Sequence, residues 1–431
     1  MISWIITIGL VCIITCVIFC RPYLGIVLIV ISIPFEGSIF LEGVSIYPLE
    51  VILGISVLIY IYKSIVGRNN YPGNMKLVYC CIPFVLCIML SAVKSIELPL
   101  TVKEIVRWLE LFLIYYLTIN LINDYKKMRI ILYSMFLTVA IVSIWGIINY
   151  DNGLWFAYKI HRAFSFFDNP NPLAGYVNLI IPVLFGALMI SVSSLERRIL
   201  VVITILSIAA LYFTYSRVAW LSLVLVMVFL FFRERPKKRV LLFLAIFSLI
   251  LAFTFLIPDI RDYFKDRSNL QNLHYVLDHR ASCYTVGYNL LKGDSVFGIG
   301  IGNFPLLVKK YIYSDPLLIK RFVYYDNSIM LTHLHSLYLQ LFVETGLIGL
   351  CAFIFWLVCI IKYLVRNLKV IEKSRNYGLF VGLMGGVIVY LLNNLTDVLV
   401  VHGIHLQWGI ILGLAVVLVQ FEESETCPET G

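Results

Sequence analysis

From Val240 to Ile257, and again from Val218 to Phe232, the chain carries no charged side chain. A helix needs about 20 apolar residues to cross the hydrocarbon core of a bilayer, and runs of this kind match that length. Thirteen apolar stretches can be read: 2–20, 23–40, 46–62, 77–93, 105–122, 130–150, 172–192, 199–214, 218–232, 240–257, 335–361, 377–397 and 402–420. Only Arg21-Pro22 separates the first two, so the expectation is 12 or 13 spans. The composition agrees, with 61% hydrophobic and 14% charged residues among 431. A soluble domain carries about 25% charge, so a soluble enzyme, a nucleic-acid binder and a disordered chain are excluded. An outer-membrane barrel would show short alternating segments instead. The expected fold is all-α, a polytopic transmembrane helical bundle with one large loop on one side.

Basic residues orient such a bundle. One set of short loops holds 18 of them: Lys63, Arg68, Lys76; Lys126, Lys127, Arg129; Arg197, Arg198; Arg233, Arg235, Lys237, Lys238, Arg239; and Lys362, Arg366, Lys369, Lys373, Arg375. The opposite short loops hold five: Lys94, Lys103, Lys159, Arg162 and Arg217. The rich side is expected in the cytoplasm, which places Pro258–Leu334 outside. The net charge of +9 is then a topological bias and implies no nucleic-acid partner.

The expected organisation is N-terminal transmembrane helices over 1–257, a loop domain over 258–334, C-terminal helices over 335–420 and a disordered acidic tail over 421–431. The first stretch has no small-residue cleavage site and is expected to be retained as a span. Eight of the ten cysteines lie inside apolar stretches and are expected as small packing residues. No Cys/His spacing resembles a zinc site.

In the large loop, Leu270, Leu273, Leu277, Tyr284 and Leu291 recur at helical spacing, which predicts an amphipathic helix against the membrane body. His279 and Arg280 interrupt its apolar face. Gly298-Ile-Gly300-Ile-Gly302-Asn303 follows, read as a tight turn rather than a dinucleotide loop, because no strand–turn–helix unit surrounds it. No P-loop, paired-aspartate motif or HExxH is present, so an enzyme here is expected to work without nucleotide or metal cofactor. A smaller outer segment ends in Asp168-Asn169-Pro170-Asn171-Pro172, an extended turn with Asn171 as the expected helix N-cap.

Few polar residues are placed for chemistry. Arg217 sits on the outer side, against the positive-inside trend, on one helical face with Leu221. His335 opens an apolar stretch beside His333. Arg162 stands in an aromatic-rich surface segment. Arg107 and Glu110, three apart, read first as a buried structural pair. Asp397 lies in the last outer turn. Arg162, Arg217, Arg280 and His335 fall on one face, an arrangement suited to a diphosphate leaving group and a hydroxyl nucleophile. Guanidinium binds phosphate oxygens in a fork and stays charged, and histidine can accept a hydroxyl proton near neutral pH.

At these residues the sequence resembles a family. Arg217-Val-Ala-Trp-Leu221 is similar to the R-x3-L motif of the O-antigen ligase family of bacterial inner-membrane glycosyltransferases. His335-Ser336, nine residues and Gly346-Leu-Ile-Gly349 resemble that family's H-[NSQ]-x9-G-x-x-G motif. Asn169-Pro170-Asn171 and Phe297–Phe304 resemble recurrent segments of the same family. The resemblance implies a GT-C-type, metal-independent enzyme in the bacterial inner membrane, its active site facing the periplasm. It would move a glycan from an undecaprenyl-diphosphate donor to a sugar hydroxyl of a lipid A-core or other glycan acceptor. His335 would be the general base. Arg217 and Arg280 would hold the diphosphate, with Arg162 as a third. His333, Asn171, Arg107, Glu110 and Asp397 are further candidates. The rivals are a repeat-unit polymerase using the same donor and a lipid-linked glycan flippase. A flippase needs charges along a mid-membrane cavity, whereas the singled-out charges here gather at one face.

Overall fold

A computed structural model of the chain describes residues 2–35, 39–41, 44–67, 75–150, 154–155, 160–233, 283–314, 333–401 and 403–426. The described residues form an all-α bundle decorated by two short hairpins. Its helices are α1 (Ile2–Cys20), α2 (Tyr23–Ser32), α3 (Pro48–Ile65), α4 (Lys76–Ser91), α5 (Leu98–Leu121), α6 (Tyr125–Ile148), α7 (Pro170–Ile190), α8 (Ser194–Phe213) and α9 (Arg217–Arg233). They continue with α10 (283–291), α11 (Phe304–Ser314), α12 (Leu337–Ile371), α13 (Tyr377–Asn393) and α14 (Ile404–Thr426). The antiparallel hairpins pair Ile39–Leu41 with Val44–Ile46 and Leu154–Trp155 with Ile160–His161. Six of the described helices are long and apolar enough to cross a membrane: α3, α4, α6, α7, α12 and α14.

Helix starts follow local chemistry. Asp124 caps α6 by accepting the Lys127 N–H at 2.8 Å, and Ser193 caps α8 by accepting that of Glu196 at 3.1 Å. Asn169, with extended backbone, caps α7 by accepting the Asn171 N–H at 2.9 Å, and Pro170 stands where no N–H is needed. The N-cap is therefore Asn169 and not the expected Asn171.

The centre of the bundle is α7, α13 and α14. About 83% of the most apolar window of α7 and 89% of that of α14 is buried, against 28% for α3 and α4 on the periphery. Small residues let α7 and α13 approach to backbone contact. A Cβ on Gly382 would stand 2.5 Å from the Pro182 carbonyl, and one on Gly386 would stand 2.8 Å from the Leu179 carbonyl. In a bilayer no water is expelled between helices, so such close packing is a main source of association.

The connections gather into two sets, one at each end. At one end the Tyr125 hydroxyl and the Asn376 amide both donate to Glu422, with Ser374 closing the cluster at 2.6 Å. At the other end, residue 94 meets 294 and 298, Arg162 meets Thr214, and Leu337 meets Asn394 and Asp397. This division matches the alternation of basic-rich and basic-poor loops.

Several expectations change. The stretch 23–40 is not one span: α2 ends at Ser32 and a hairpin strand begins at Ile39. Residues 421–426 of the expected tail are helical, because α14 runs to Thr426 and its buried Glu422 accepts from three donors; 427–431 lie outside the described residues. α12 continues ten residues beyond the expected 361. Stretch 240–257 lies outside the described residues.

Candidate functional site

The head of α12 carries the densest chemistry among the described residues. His335 adopts a left-handed backbone, φ 51°, a conformation uncommon outside glycine. Ser336 then turns extended and caps the helix, accepting the Leu339 N–H at 3.5 Å. The Leu337 N–H donates to the carbonyls of Asn394 and Asp397 at 3.0 and 3.1 Å, so the turn after α13 finishes the helix head. This turn brings Asp397 to His333, with 3.7 Å between Oδ1 and Nε2. The His333 and His335 rings meet edge to face at 4.7 Å.

Ten residues past the cap, α12 breaks. Gly346 has φ 69° and ψ −172°, which severs the local helical ladder. The break orphans two carbonyls, Val343 and Glu344, and two N–H groups, Leu347 and Ile348. The glycine-rich turn of the large loop fills all four. Ile299 and Gly300 donate to Val343 and Glu344 at 2.9 Å each, while Leu347 and Ile348 donate to Ser295 and Val296 at 3.0 and 3.4 Å. Only glycine allows this approach. A Cβ on Gly298 would stand 2.5 Å from the Gly346 nitrogen, and one on Gly346 would overlap the Val296 carbonyl.

The other side of the turn is pinned to the α4–α5 connection. Buried Asn303 donates to the Lys94 and Ile299 carbonyls at 2.8 Å each and accepts the Ile96 N–H at 3.2 Å. Lys94 donates to the Gly298 carbonyl at 2.7 Å and pairs with Asp294. That ammonium, with the Phe297 N–H, holds the Asp294 carboxyl below its ordinary range. Cys283, Val286, Leu291, Phe304 and Val308 form a small apolar core with Leu334 and Val343. The described part of the predicted amphipathic helix, α10, supplies the first three. Residues Leu270, Leu273, Leu277, His279 and Arg280 lie outside the described residues.

Arg162 and Arg217 occupy the same end. Arg162 is buried. Its Nε donates to the Thr214 carbonyl at 2.7 Å and its Nη2 to Asn171 Oδ1 at 3.3 Å. It thereby fastens the turn that delivers Arg217 to the first position of α9, where Arg217 is exposed. A cation at a helix N-terminus stands against the macrodipole.

One step of chain joins the two parts. Asn393 at the end of α13 accepts the Ser222 hydroxyl of α9 at 2.7 Å, and Asn178 of α7 donates to Ser222 and to the Ala219 carbonyl. The next residue, Asn394, receives the Leu337 N–H of α12. Helices α9 and α12 are thus referenced to the same dipeptide, five residues after Arg217 and two after His335.

Arg107 and Glu110 do not pair with each other. Arg107 bonds Glu104, and Glu110 faces buried His405 of α14 at 3.5 Å. On a helix Arg107 has carboxylates both three before and three after it, and the neighbouring α14 takes the second. Sequence reading missed His405, Asn178 and Asn393. The first two had one available signal, a polar residue inside an otherwise apolar run. It also missed the pairing of Gly298 with Gly346, which no linear spacing reveals.

Residues 202–354 match the protein-family model described as O-antigen ligase. No curated protein matches the chain. The matched segment contains Arg217, the glycine-rich turn, His335, Gly346 and Gly349; Arg162 and Asp397 fall outside it.

Proposed function

We propose, from the match of residues 202–354 to the O-antigen ligase family model, that this multi-pass membrane protein is a glycosyltransferase acting on undecaprenyl-diphosphate-linked glycan at the periplasmic face of the inner membrane. The acceptor is a sugar hydroxyl of a lipid A-core. Its oxygen attacks the anomeric carbon of the donor, the bond from that carbon to the diphosphate oxygen breaks, and undecaprenyl diphosphate departs. His335 takes the hydroxyl proton. Arg217 and Arg280 hold the diphosphate oxygens through their planar forks and offset the charge that develops on them. Arg162 acts mainly by holding the turn before Arg217.

The observation that supports this reading is the common anchoring on Asn393-Asn394 of the helices that carry Arg217 and His335, through Ser222 and Leu337. It holds the backbones of the proposed cation and the proposed base at the same end. The left-handed backbone at His335 supports it too, since strain of about 1–3 kcal/mol persists where surrounding structure enforces it, often at reactive positions.

His335→Asn tests the base. Asparagine tolerates a left-handed backbone, so the variant keeps the helix head but not the imidazole. The expected result is a folded protein without transfer; retained transfer would remove His335 from the mechanism. Gene deletion followed by glycolipid electrophoresis separates ligase from polymerase. Loss of a ligase leaves bare core and accumulated lipid-linked polymer, whereas loss of a polymerase leaves core bearing a single repeat unit.

A further inference from the structure

The turn that caps α12 also assembles a donor set that no sequence spacing announces. His333 and His335 are separated from Asp397 by about sixty residues, yet one ligand atom from each lies within 4.8 Å of the other two. All three side chains are partly exposed, so an ion could reach them from solvent.

The geometry is close to that of a coordinated dication. Tetrahedral zinc with bonds of about 2.0–2.1 Å places neighbouring ligand atoms roughly 3.3–3.4 Å apart, and two ligating imidazole rings roughly 5 Å apart between centroids. Here His333 Nε2 and Asp397 Oδ1 are 3.7 Å apart, and the two rings are 4.7 Å apart. Bringing atoms that lie within 4.8 Å of one another to that spacing needs shifts of no more than about 1.5 Å.

The supports are already in place. The Val398 N–H donates to Asp397 Oδ1 at 2.9 Å, which orients the carboxylate. Ser336 and the 394–397 turn fix the backbone of the His335 segment. Such outer contacts commonly tune metal sites. Two imidazoles and one carboxylate with an open fourth position suit zinc-class ions and do not suit magnesium or calcium, which prefer all-oxygen sites.

We propose that His333, His335 and Asp397 form a binding site for a zinc-class dication, and that its occupancy switches glycan transfer off. The inhibitory half rests on the assignment of His335 as the base. An imidazole nitrogen whose lone pair is given to a metal cannot accept the acceptor proton. The site is therefore a reversible metal-sensitive stop on the reaction. The ion takes no part in the proposed transfer step.

The test uses the full chain in nanodiscs after EDTA treatment. Zn2+ is titrated in competition with a chromophoric chelator. The expected result is one ion per chain, not displaced by excess Mg2+, with affinity reduced at least about tenfold in His333→Ala and Asp397→Asn. His333→Gln keeps the side-chain volume and serves as the folding control. Glycan transfer is then measured in parallel, each protein relative to its own metal-free rate. Zn2+ should abolish it, EDTA should restore it, and in His333→Ala inhibition should need at least about tenfold more zinc. Absence of stoichiometric binding, or unchanged affinity in both variants, overturns the site. Binding without loss of transfer overturns the switch. Failure of the base reading would show separately, as transfer retained by His335→Asn in metal-free buffer.

Discussion

Gly346→Ala is the most informative perturbation of the fold around the site. Alanine at φ 69°, ψ −172° enters a region occupied almost only by glycine, at a backbone penalty of about 1–3 kcal/mol. Its methyl also overlaps the Val296 carbonyl, and the Gly298 nitrogen lies 2.6 Å away. Both obstacles are backbone, so neither can rotate aside. The loop can escape only by undocking, which forfeits the four hydrogen bonds at 299, 300, 347 and 348. At about 0.5–1.5 kcal/mol each, that is roughly 2–6 kcal/mol. An opening penalty near 3 kcal/mol corresponds to about a hundredfold loss of protection. Hydrogen exchange of the Ile299 and Gly300 amides reads this directly, with thermal unfolding in detergent and glycan transfer alongside. Gly54→Ala is the comparison. Gly54 lies inside α3, an added methyl there meets no atom within 4 Å, and alanine gains about 1 kcal/mol of helix propensity. It should leave stability unchanged or raise it by no more than about 1 kcal/mol. If Gly346→Ala keeps wild-type amide protection at 299 and 300, or if the two variants behave alike, the interlocking of loop and broken helix is refuted.

Further expectations concern the charges and the buried polar network. Arg217→Lys should impair transfer while leaving the unfolding temperature unchanged, because an ammonium does not reproduce the fork; normal turnover would remove Arg217 from donor binding. The Asp294 carboxyl is held below its ordinary value of 3.8 by Lys94 and the Phe297 N–H. Its contribution to loop docking is therefore complete above that value and fades as pH falls through the lowered one. Amide protection at 296 and 297 should fall in acid for the wild type, and Asp294→Asn should lack that acid step. Asn393→Ala removes the shorter of the two hydrogen bonds open to the buried Ser222 hydroxyl, whose other acceptor is the Ala219 carbonyl at 3.0 Å, at a penalty of about 0.5–1.5 kcal/mol. It should lower both the unfolding temperature and transfer, while a surface control, Asn123→Ala, changes neither.

How much was legible beforehand differs by element. Apolar length revealed α3 to α9 and α12 to α14 because a bilayer demands continuous hydrophobicity, which is a linear property. Boundaries set by capping were less visible. Asn169 and Asn171 are both good caps beside a proline, and only the extended backbone at 169 decides between them. Residues 421–426 were misread because their acidic composition resembles a solvated tail, whereas Glu422 is fixed by groups some fifty to three hundred residues away.

The candidate site divides in the same way. His335, Ser336, Gly346 and Gly349 form a local spacing, and Arg217 stands out as a charge on the poor side of the membrane, so the sequence alone could point to them. It determined the class of fold, the segregation of charge and the likeness of residues 202–354 to the O-antigen ligase family model. Only the tertiary structure joined Gly298 to Gly346, Asp397 to His333, and Asn393-Asn394 to both α9 and α12. Those pairings depend on which helix ends are neighbours. In a membrane, helix neighbours are chosen by close packing of small residues and by hydrogen bonds that must be satisfied without water, and neither leaves a period in the sequence.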